Sequence, residues 1–234
     1  MEKLAPSPLD PLAAAVANRL HAQSKKQIIA NVPGLARRMA VSLLRERTID
    51  FTQGEAGKEF VADKLVAIAP AKAALIHMLC RSIGATRIVE AGTSFGVSTI
   101  YLAAAVRDNL AEGGEGVVIG TEHEPGKVQR ALRNLREAGV AEYVEIREGD
   151  LRETLVDLAG PIDFMLVDIW TPMALPALRL VTPHLRPGAL VVCDNVVGAA
   201  SEYRDYLGFV RDPDGPFTSV TVPGNGGMEI SRKR

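Results

Sequence analysis

The chain has 234 residues, 47% of them hydrophobic and 24% charged, which fits one large domain, or a domain with a small appendage, and excludes a disordered chain. A sequence of this size can bury a core without disulfides or a structural metal. Its 27 Lys+Arg against 28 Asp+Glu leave a net charge of −1, so there is no overall basic footprint for nucleic acid or an anionic membrane.

Cys80 and Cys193 both lie in apolar runs, with no CxxC pair or Cys/His cluster. Buried reduced thiols are expected, and neither zinc nor a disulfide. No stretch approaches the roughly 20 uninterrupted apolar residues of a membrane span. The N-terminus also lacks the basic-then-apolar pattern of a signal peptide. A soluble, cytoplasmic protein that binds neither nucleic acid nor membrane is the expectation.

Residues 1–69 read as a helical cap segment and residues 70–234 as the main domain. Leu12–Leu20 places Leu12, Val16, Ala17 and Leu20 at helical spacing, and Val32–Leu44 repeats the pattern. Asp50–Gly57 breaks it with Gly54 and Gly57 and reads as a loop. Helix and strand then alternate. Helices are predicted over Ala71–Ile83, Ser98–Val106, Pro125–Ala138, Leu151–Leu158 and Met173–Leu185. Strands are predicted over Arg87–Ala91, Gly116–Thr121, Tyr143–Ile146, Asp163–Val167 and Ala189–Cys193. Arg186-Pro187-Gly188 reads as the stop between the last helix and strand. Apolar strands in β-α-β-α succession argue an α/β, doubly wound, mostly parallel sheet covered on both faces.

The ending differs. Phe217–Val222 and Gly227–Ser231 are separated only by Pro223-Gly224-Asn225-Gly226, too few residues for a crossover helix. They form a hairpin, which puts an antiparallel strand into the sheet.

The first strand runs into Glu90-Ala91-Gly92-Thr93-Ser94-Phe95-Gly96-Val97-Ser98. Gly92 and Gly96 allow a tight turn and close approach of a ligand, and the following helix offers unpaired N–H groups. An ordinary β-to-α turn explains the loop equally well. Ser94 spoils the dinucleotide pattern GxGxxG, and the terminal hairpin contradicts a dehydrogenase topology. Glu122 ends the second strand, where a carboxylate can accept both hydroxyls of a ribose, or can simply face a helix N-terminus opened by Pro125. In Glu148-Gly149-Asp150, Asp150 suits the amine of an adenine and suits a helix N-cap equally. Asp168 ends the fourth strand and Asp194-Asn195 the fifth. Neighbouring parallel strands would bring these oxygens together at the carboxyl edge, a donor set for a hard cation such as Mg²⁺. Asn195 could instead cap a turn.

These pieces together resemble the cation-dependent O-methyltransferases, the class I S-adenosylmethionine enzymes that include the catechol and caffeoyl-CoA types. The likeness rests on Ile88–Ser98, Thr121-Glu122, Glu148–Asp150, Leu166–Trp170, Arg186–Asn195 and the Phe217–Ser231 hairpin. It implies a seven-stranded Rossmann-like methyltransferase sheet whose last strand is antiparallel, and S-adenosylmethionine and a divalent cation, Mg²⁺, as cofactors. Under it Glu90, Gly92 and Ser98 hold the methionine part, Glu122 the ribose, and Asp150 and Trp170 the adenine. Asp168, Asp194 and Asn195 hold the cation, with Asp168 the residue on which catalysis depends. The partner implied is a small hydroxylated, catechol-like acceptor, and the assembly a homodimer.

One departure stands out: Thr171 occupies the place of the family's lysine base. His123 and His184 are replacements by residue type only. The missing lysine leaves an N-methyltransferase, or an enzyme acting on a less acidic hydroxyl, as alternatives, and a non-catalytic S-adenosylmethionine-binding regulator is a third. Gln53, Phe60, Val196, Val197 and Tyr203 are candidates for the acceptor pocket.

Overall fold

A computed structural model describes residues 7–30, 34, 65–111 and 113–234. The loop expected at residues 50–57, the pocket candidates Gln53 and Phe60, and the helix expected at 32–44, apart from Gly34, lie outside the described residues.

Seven strands form one sheet in the order β3-β2-β1-β4-β5-β7-β6. They are β1 (Arg87–Ala91), β2 (Val117–Glu122), β3 (Val144–Glu148), β4 (Ile162–Val167), β5 (Leu185–Asp194), β6 (Phe217–Val222) and β7 (Met228–Lys233). β3, β2, β1, β4 and β5 are mutually parallel, and β7 runs antiparallel to both β5 and β6. The reversed strand follows from the short Pro223–Gly227 connection, and it sits inside the sheet between β5 and β6.

Side-chain alternation assigns the two faces. Ile88, Val118, Phe164 and Val192 pack toward α1 (Pro11–Ala30), α2 (Pro70–Ser82) and α3 (Val97–Asn109). Val89, Ile119, Met165 and Val191 pack toward α5 (Leu151–Thr154), α6 (Thr171–Val181) and α7 (Arg204–Val210). The helix α4 (Pro125–Glu137) buries Val128, Ala131 and Leu135 on one face. Both faces are apolar, which is why these strands read as continuous hydrophobic runs.

The helix α1 lies against α3 and α4. It buries Ala13, Val16, Ala17 and Leu20, and Arg19 donates to Glu137 at 2.6 Å. Its C-terminal half holds the next described segment: Ser24 Oγ donates to the Leu65 carbonyl at 2.9 Å, and Leu65 N–H donates to Gln27 Oε1 at 2.9 Å.

Three elements differ from the sequence expectation. β5 begins at Leu185, because Arg186-Pro187-Gly188 is absorbed as an irregular strand start whose register on β4 shifts between Ile162 and Phe164. The helix after Asp150 is only Leu151–Thr154, and α7 was not expected at all.

A buried carboxylate ties the reversed strand down. Glu229 on β7 accepts from Arg211 Nε and Nη2 at 2.8 Å each, Ser219 Oγ at 2.7 Å and Thr221 Oγ1 at 2.6 Å. These partners hold its pKa below the usual 4.5 against the opposing effect of burial. A depressed carboxylate pKa contributes stability above its unfolded value, and that contribution disappears as pH falls through the folded value. Glu229→Gln should therefore lower the unfolding free energy from urea titration at pH 7 by about 1–3 kcal/mol. The gap to wild type should close as the pH is taken well below 4.5.

Candidate active site

The carboxyl ends of β1, β2 and β4 converge on the loop 92–96. Thr93 N–H donates to the Thr121 carbonyl at 2.9 Å, and Asp168 N–H donates to the Ala91 carbonyl at 3.1 Å. Gly92 has φ +100°, and a Cβ there would stand 2.2 Å from the Asp168 carbonyl oxygen. Only glycine lets the loop and the end of β4 lie this close. Gly96, at φ +83°, then opens α3.

Glu90 is fully buried under the loop. Its Oε2 accepts from Thr99 Oγ1 at 2.5 Å and Thr93 Oγ1 at 3.1 Å, while Oε1 has no hydrogen-bond partner. Burial pushes its pKa up to about 7, against the opposing effect of the nearby Ser98, Thr99 and Thr93 hydroxyls. An orphaned oxygen on a buried carboxyl is costly unless a ligand donor meets it. Ser98 sits beside it in the first turn of α3 and borders the cavity described below.

Glu122 caps the second strand. Its Oε2 accepts from Ser94 N–H at 2.8 Å and its Oε1 from Glu124 N–H at 2.9 Å. Its carboxylate thus receives two backbone N–H groups and borders the cavity described below. Asp150 is the N-cap of α5, accepting from Arg152 N–H at 2.9 Å, and its carboxylate is paired with the Arg152 guanidinium. That partner, with the N-cap bond, holds its pKa down at about 2. Trp170, the residue before α6, faces the same cavity.

The two acids at the sheet centre are differently partnered. Val167 pairs with Cys193 across β4 and β5, so Asp168 and Asp194 follow side by side. Asp194, 3% exposed, accepts from its neighbour's Asn195 N–H at 2.8 Å and is ion-paired with Lys72 of α2. Lys72, 8% exposed, also donates to the carbonyls of Asn225 at 2.5 Å and Gly227 at 3.4 Å. Asp168 has no hydrogen-bonded or ion-paired side-chain partner among the described residues. Burial, with the charges of Asp194 and Glu90, pushes its pKa up to about 7, while Lys72 works the other way. Asn195 has φ +63° and directs Oδ1 close to Gly226, where a Cβ would come within 2.7 Å of it.

A single cavity of about 730 Å³ joins these parts. Gly92, Ser98, Glu122, Asp150 and Trp170 border one part of it, and Asp168, Asn195 and Tyr203 another. Glu90 and Asp194 are buried close to the residues that border it. Val196 is buried and Val197 is 53% exposed, and neither borders the cavity. His123 borders it next to Glu122, whereas His184 precedes β5 at the opposite edge of the sheet. Among the described residues no three His, Cys, Asp or Glu side chains form a metal-holding group by themselves. The set at this edge is two carboxylates plus the amide oxygen of Asn195. Its unpartnered Asp168 carboxylate and all-oxygen composition suit a hard cation.

Lys72 is the charged partner at this edge that the sequence reading missed. It stands 122 residues from Asp194. A signal was present, because Lys72, Ile76 and Cys80 share one buried stripe of α2, where an unpaired lysine would be costly.

Comparison with known proteins bears on what such an edge does. Residues 89–196 match a family described as "Methyltransferase domain". A provisionally named O-methyltransferase from Mycolicibacterium vanbaalenii is 30% identical over 214 residues, 82% of this chain and 83% of that protein. This chain belongs to the O-methyltransferase family. Catechol O-methyltransferase from Mycobacterium tuberculosis is 33% identical over 133 residues, 56% of this chain and 58% of that enzyme. The match thus spans little more than half the length of that curated relative. Among solved structures, the Streptomyces achromogenes O-methyltransferase TomG in complex with SAM superposes with a TM-score of 0.59 at 28% identity, covering 77% of this chain and 90% of TomG.

Gly92→Ala tests the seam between loop and strand. The left-handed conformation alone costs about 1–3 kcal/mol, and the contact with the Asp168 carbonyl adds to it. We expect a fall in the melting temperature, read by circular dichroism. An unchanged melt would mean that the loop does not approach β4 as described.

Proposed function

We propose that this chain transfers a methyl group from S-adenosylmethionine to a hydroxyl of a small, catechol-like acceptor, with a divalent cation, Mg²⁺, at the acidic edge. The observation that carries the reading is the continuity of the cavity. The glycine loop and Glu122 open into the same space as Asp168 and Asn195, so donor and acceptor can meet without crossing solvent.

The residues divide the work by position. Glu90 Oε1, which lacks a partner, faces the methionine ammonium, with Ser98 near the carboxylate and Gly92 leaving the backbone open. Glu122 is held by two backbone N–H groups, so its remaining lone pairs are aimed to accept the ribose hydroxyls. Trp170 and Asp150 flank the adenine, and Arg152 already compensates the Asp150 charge. Asp168, Asp194 and Asn195 hold the cation, Asp194 through the oxygen that Lys72 does not occupy. When bound there, the cation lowers the pKa of a chelated hydroxyl and fixes its oxygen. In the transfer an O–CH₃ bond forms as the S–CH₃ bond breaks, S-adenosylhomocysteine leaves, and the hydroxyl proton is released. Alignment and exclusion of water are what the protein contributes, because opposite charges cancel along the way.

An amine acceptor is the second reading, favoured by Thr171 standing where the family's lysine base would be. Methylation of a catechol, a phenol and an arylamine panel with labelled donor, with and without EDTA, separates the two. We expect EDTA-sensitive turnover of the catechol. Asp168→Ala should lower it by more than about 100-fold while donor binding by calorimetry stays within about threefold. Activity that survives both EDTA and the substitution would overturn the cation assignment.

Glu90 supplies a pH signature. Its carboxyl is raised to about 7, and a neighbouring ammonium favours the ionised form. Donor binding should therefore release up to about half a proton near pH 7 and tighten as pH rises through that range. Calorimetry in buffers of different ionisation enthalpy reads this, and Glu90→Gln should abolish the release. Net proton uptake would contradict the placement.

A further inference from the structure

The ammonium of Lys72 is the one feature of the acidic edge that neither the motif reading nor the family assignment accounts for. It has three N–H donors and three acceptors: Asp194 Oδ1, the Asn225 carbonyl and the Gly227 carbonyl. Nothing is left over to take a proton from a substrate, and Lys72 does not border the cavity. It is therefore no stand-in for the base missing at Thr171. Its position is that of a fixed positive charge behind the cation site, on the side of Asp194 that faces α2 and the β6–β7 turn.

We infer that Lys72 is a resident counter-charge that sets how tightly the acidic edge holds a divalent cation, weakening the grip by cancelling one of its two carboxylate charges. The inference rests on the reading that Asp168, Asp194 and Asn195 form the cation site. With both carboxylates ionised, as a bound cation favours, Asp168, Asp194 and Lys72 sum to −1, and the two acids without Lys72 sum to −2. Cation and ammonium are both drawn to Asp194, and they repel each other across a low-dielectric interval that solvent does not screen. The pairing also has a benefit for the empty protein. Two buried carboxylates side by side with no positive partner would be costly, and an ammonium on one of them removes most of that cost. The edge can then stand ready without a bound ion, and the ion can exchange.

Lys72 is a positioning residue in this scheme, so the readout is ion affinity and not turnover. The experiment titrates the full chain with Mn²⁺, following the free-ion signal by electron paramagnetic resonance. Lys72→Gln keeps a hydrogen-bond donor and removes the charge, and we expect it to bind Mn²⁺ at least about tenfold more tightly than wild type. Lys72→Arg keeps the charge and should stay within about threefold. Lys72→Met also removes the charge and keeps an unbranched side chain to fill the buried space, and it should likewise bind Mn²⁺ at least about tenfold more tightly than wild type. Should K72Q fail to fold, K72M, refolded with Mn²⁺ present so that the ion compensates the acidic edge, decides, and Mn²⁺ binding equal to or weaker than wild type overturns the inference. Equal or weaker binding by folded K72Q, with wild type binding normally, overturns it while leaving the cation site intact. No binding by either wild type or K72Q removes the cation site itself, and the inference with it.

Discussion

The arrangement depends on one close approach, that of Gly92 to the carbonyl of Asp168. The missing Cβ lets the end of β1 lie against the end of β4, and the Asp168 N–H to Ala91 carbonyl bond at 3.1 Å closes the seam. Everything on the donor side is built outward from that contact. Thr93 is tied to β2, Ser94 N–H is tied to Glu122, and α3 begins at Gly96. Everything on the acidic side begins one residue later, at Asp168. The distance from the glycine loop to the acidic edge is therefore set by backbone packing and not by flexible side chains, which is what an in-line transfer between two bound molecules requires.

The second constraint is charge. Glu90, Asp168 and Asp194 crowd the same edge, and only Asp194 has a full positive partner. Each of the other two finds a different compromise. Glu90 is hydrogen-bonded by two hydroxyls on one oxygen and bare on the other, and Asp168 opens toward the cavity. Burial raises the pKa of both, so in the protein without ligands their charged forms are disfavoured. A cationic donor at one and a metal ion at the other would shift both toward the charged form. Groups perturbed in this way are concentrated at functional clefts, and here they lie at the carboxyl edge where open α/β sheets bind their ligands.

Much of this was legible in the sequence, for physical reasons that differ by element. β1, β4 and the hairpin strands were visible as apolar runs or by the shortness of their connection, and Phe217–Val222 coincides with β6. Strand-end acids such as Glu122, Asp168 and Asp194 were legible because a charge that terminates a buried strand marks its carboxyl edge. The start of β5 was not, because Arg186-Pro187-Gly188 has the composition of a turn yet is carried inside an irregular strand. α7, seven residues long, gives too little periodicity to announce itself. Partnerships were the least legible of all. That Arg152 pairs with Asp150 is a local fact two residues long, but that Lys72 pairs with Asp194 depends on where α2 is laid across the sheet. A lysine on the buried stripe of a helix announces that it has a partner without saying which.

The placement of the remaining bases bears on which acceptors suit the proposed chemistry. His184 lies at the far edge of the sheet, His123 stands beside Glu122 at the donor end, and Lys72 has no free donor or lone pair to offer. Among the described residues that border the acceptor end with Asp168, Asn195 and Tyr203, none is a neutral base, and burial drives the Tyr203 phenol further from ionising. In the proposed reaction the hydroxyl must therefore be acidified where it binds, with its proton passing to water. A phenol of pKa about 10 needs only a modest downward shift to ionise near neutrality, within what a chelated cation supplies, whereas an aliphatic alcohol lies far above that range. Loss of the family's lysine thus argues for acceptors whose oxygen is already acidic, and vicinal phenols combine that acidity with a second oxygen to fix their orientation.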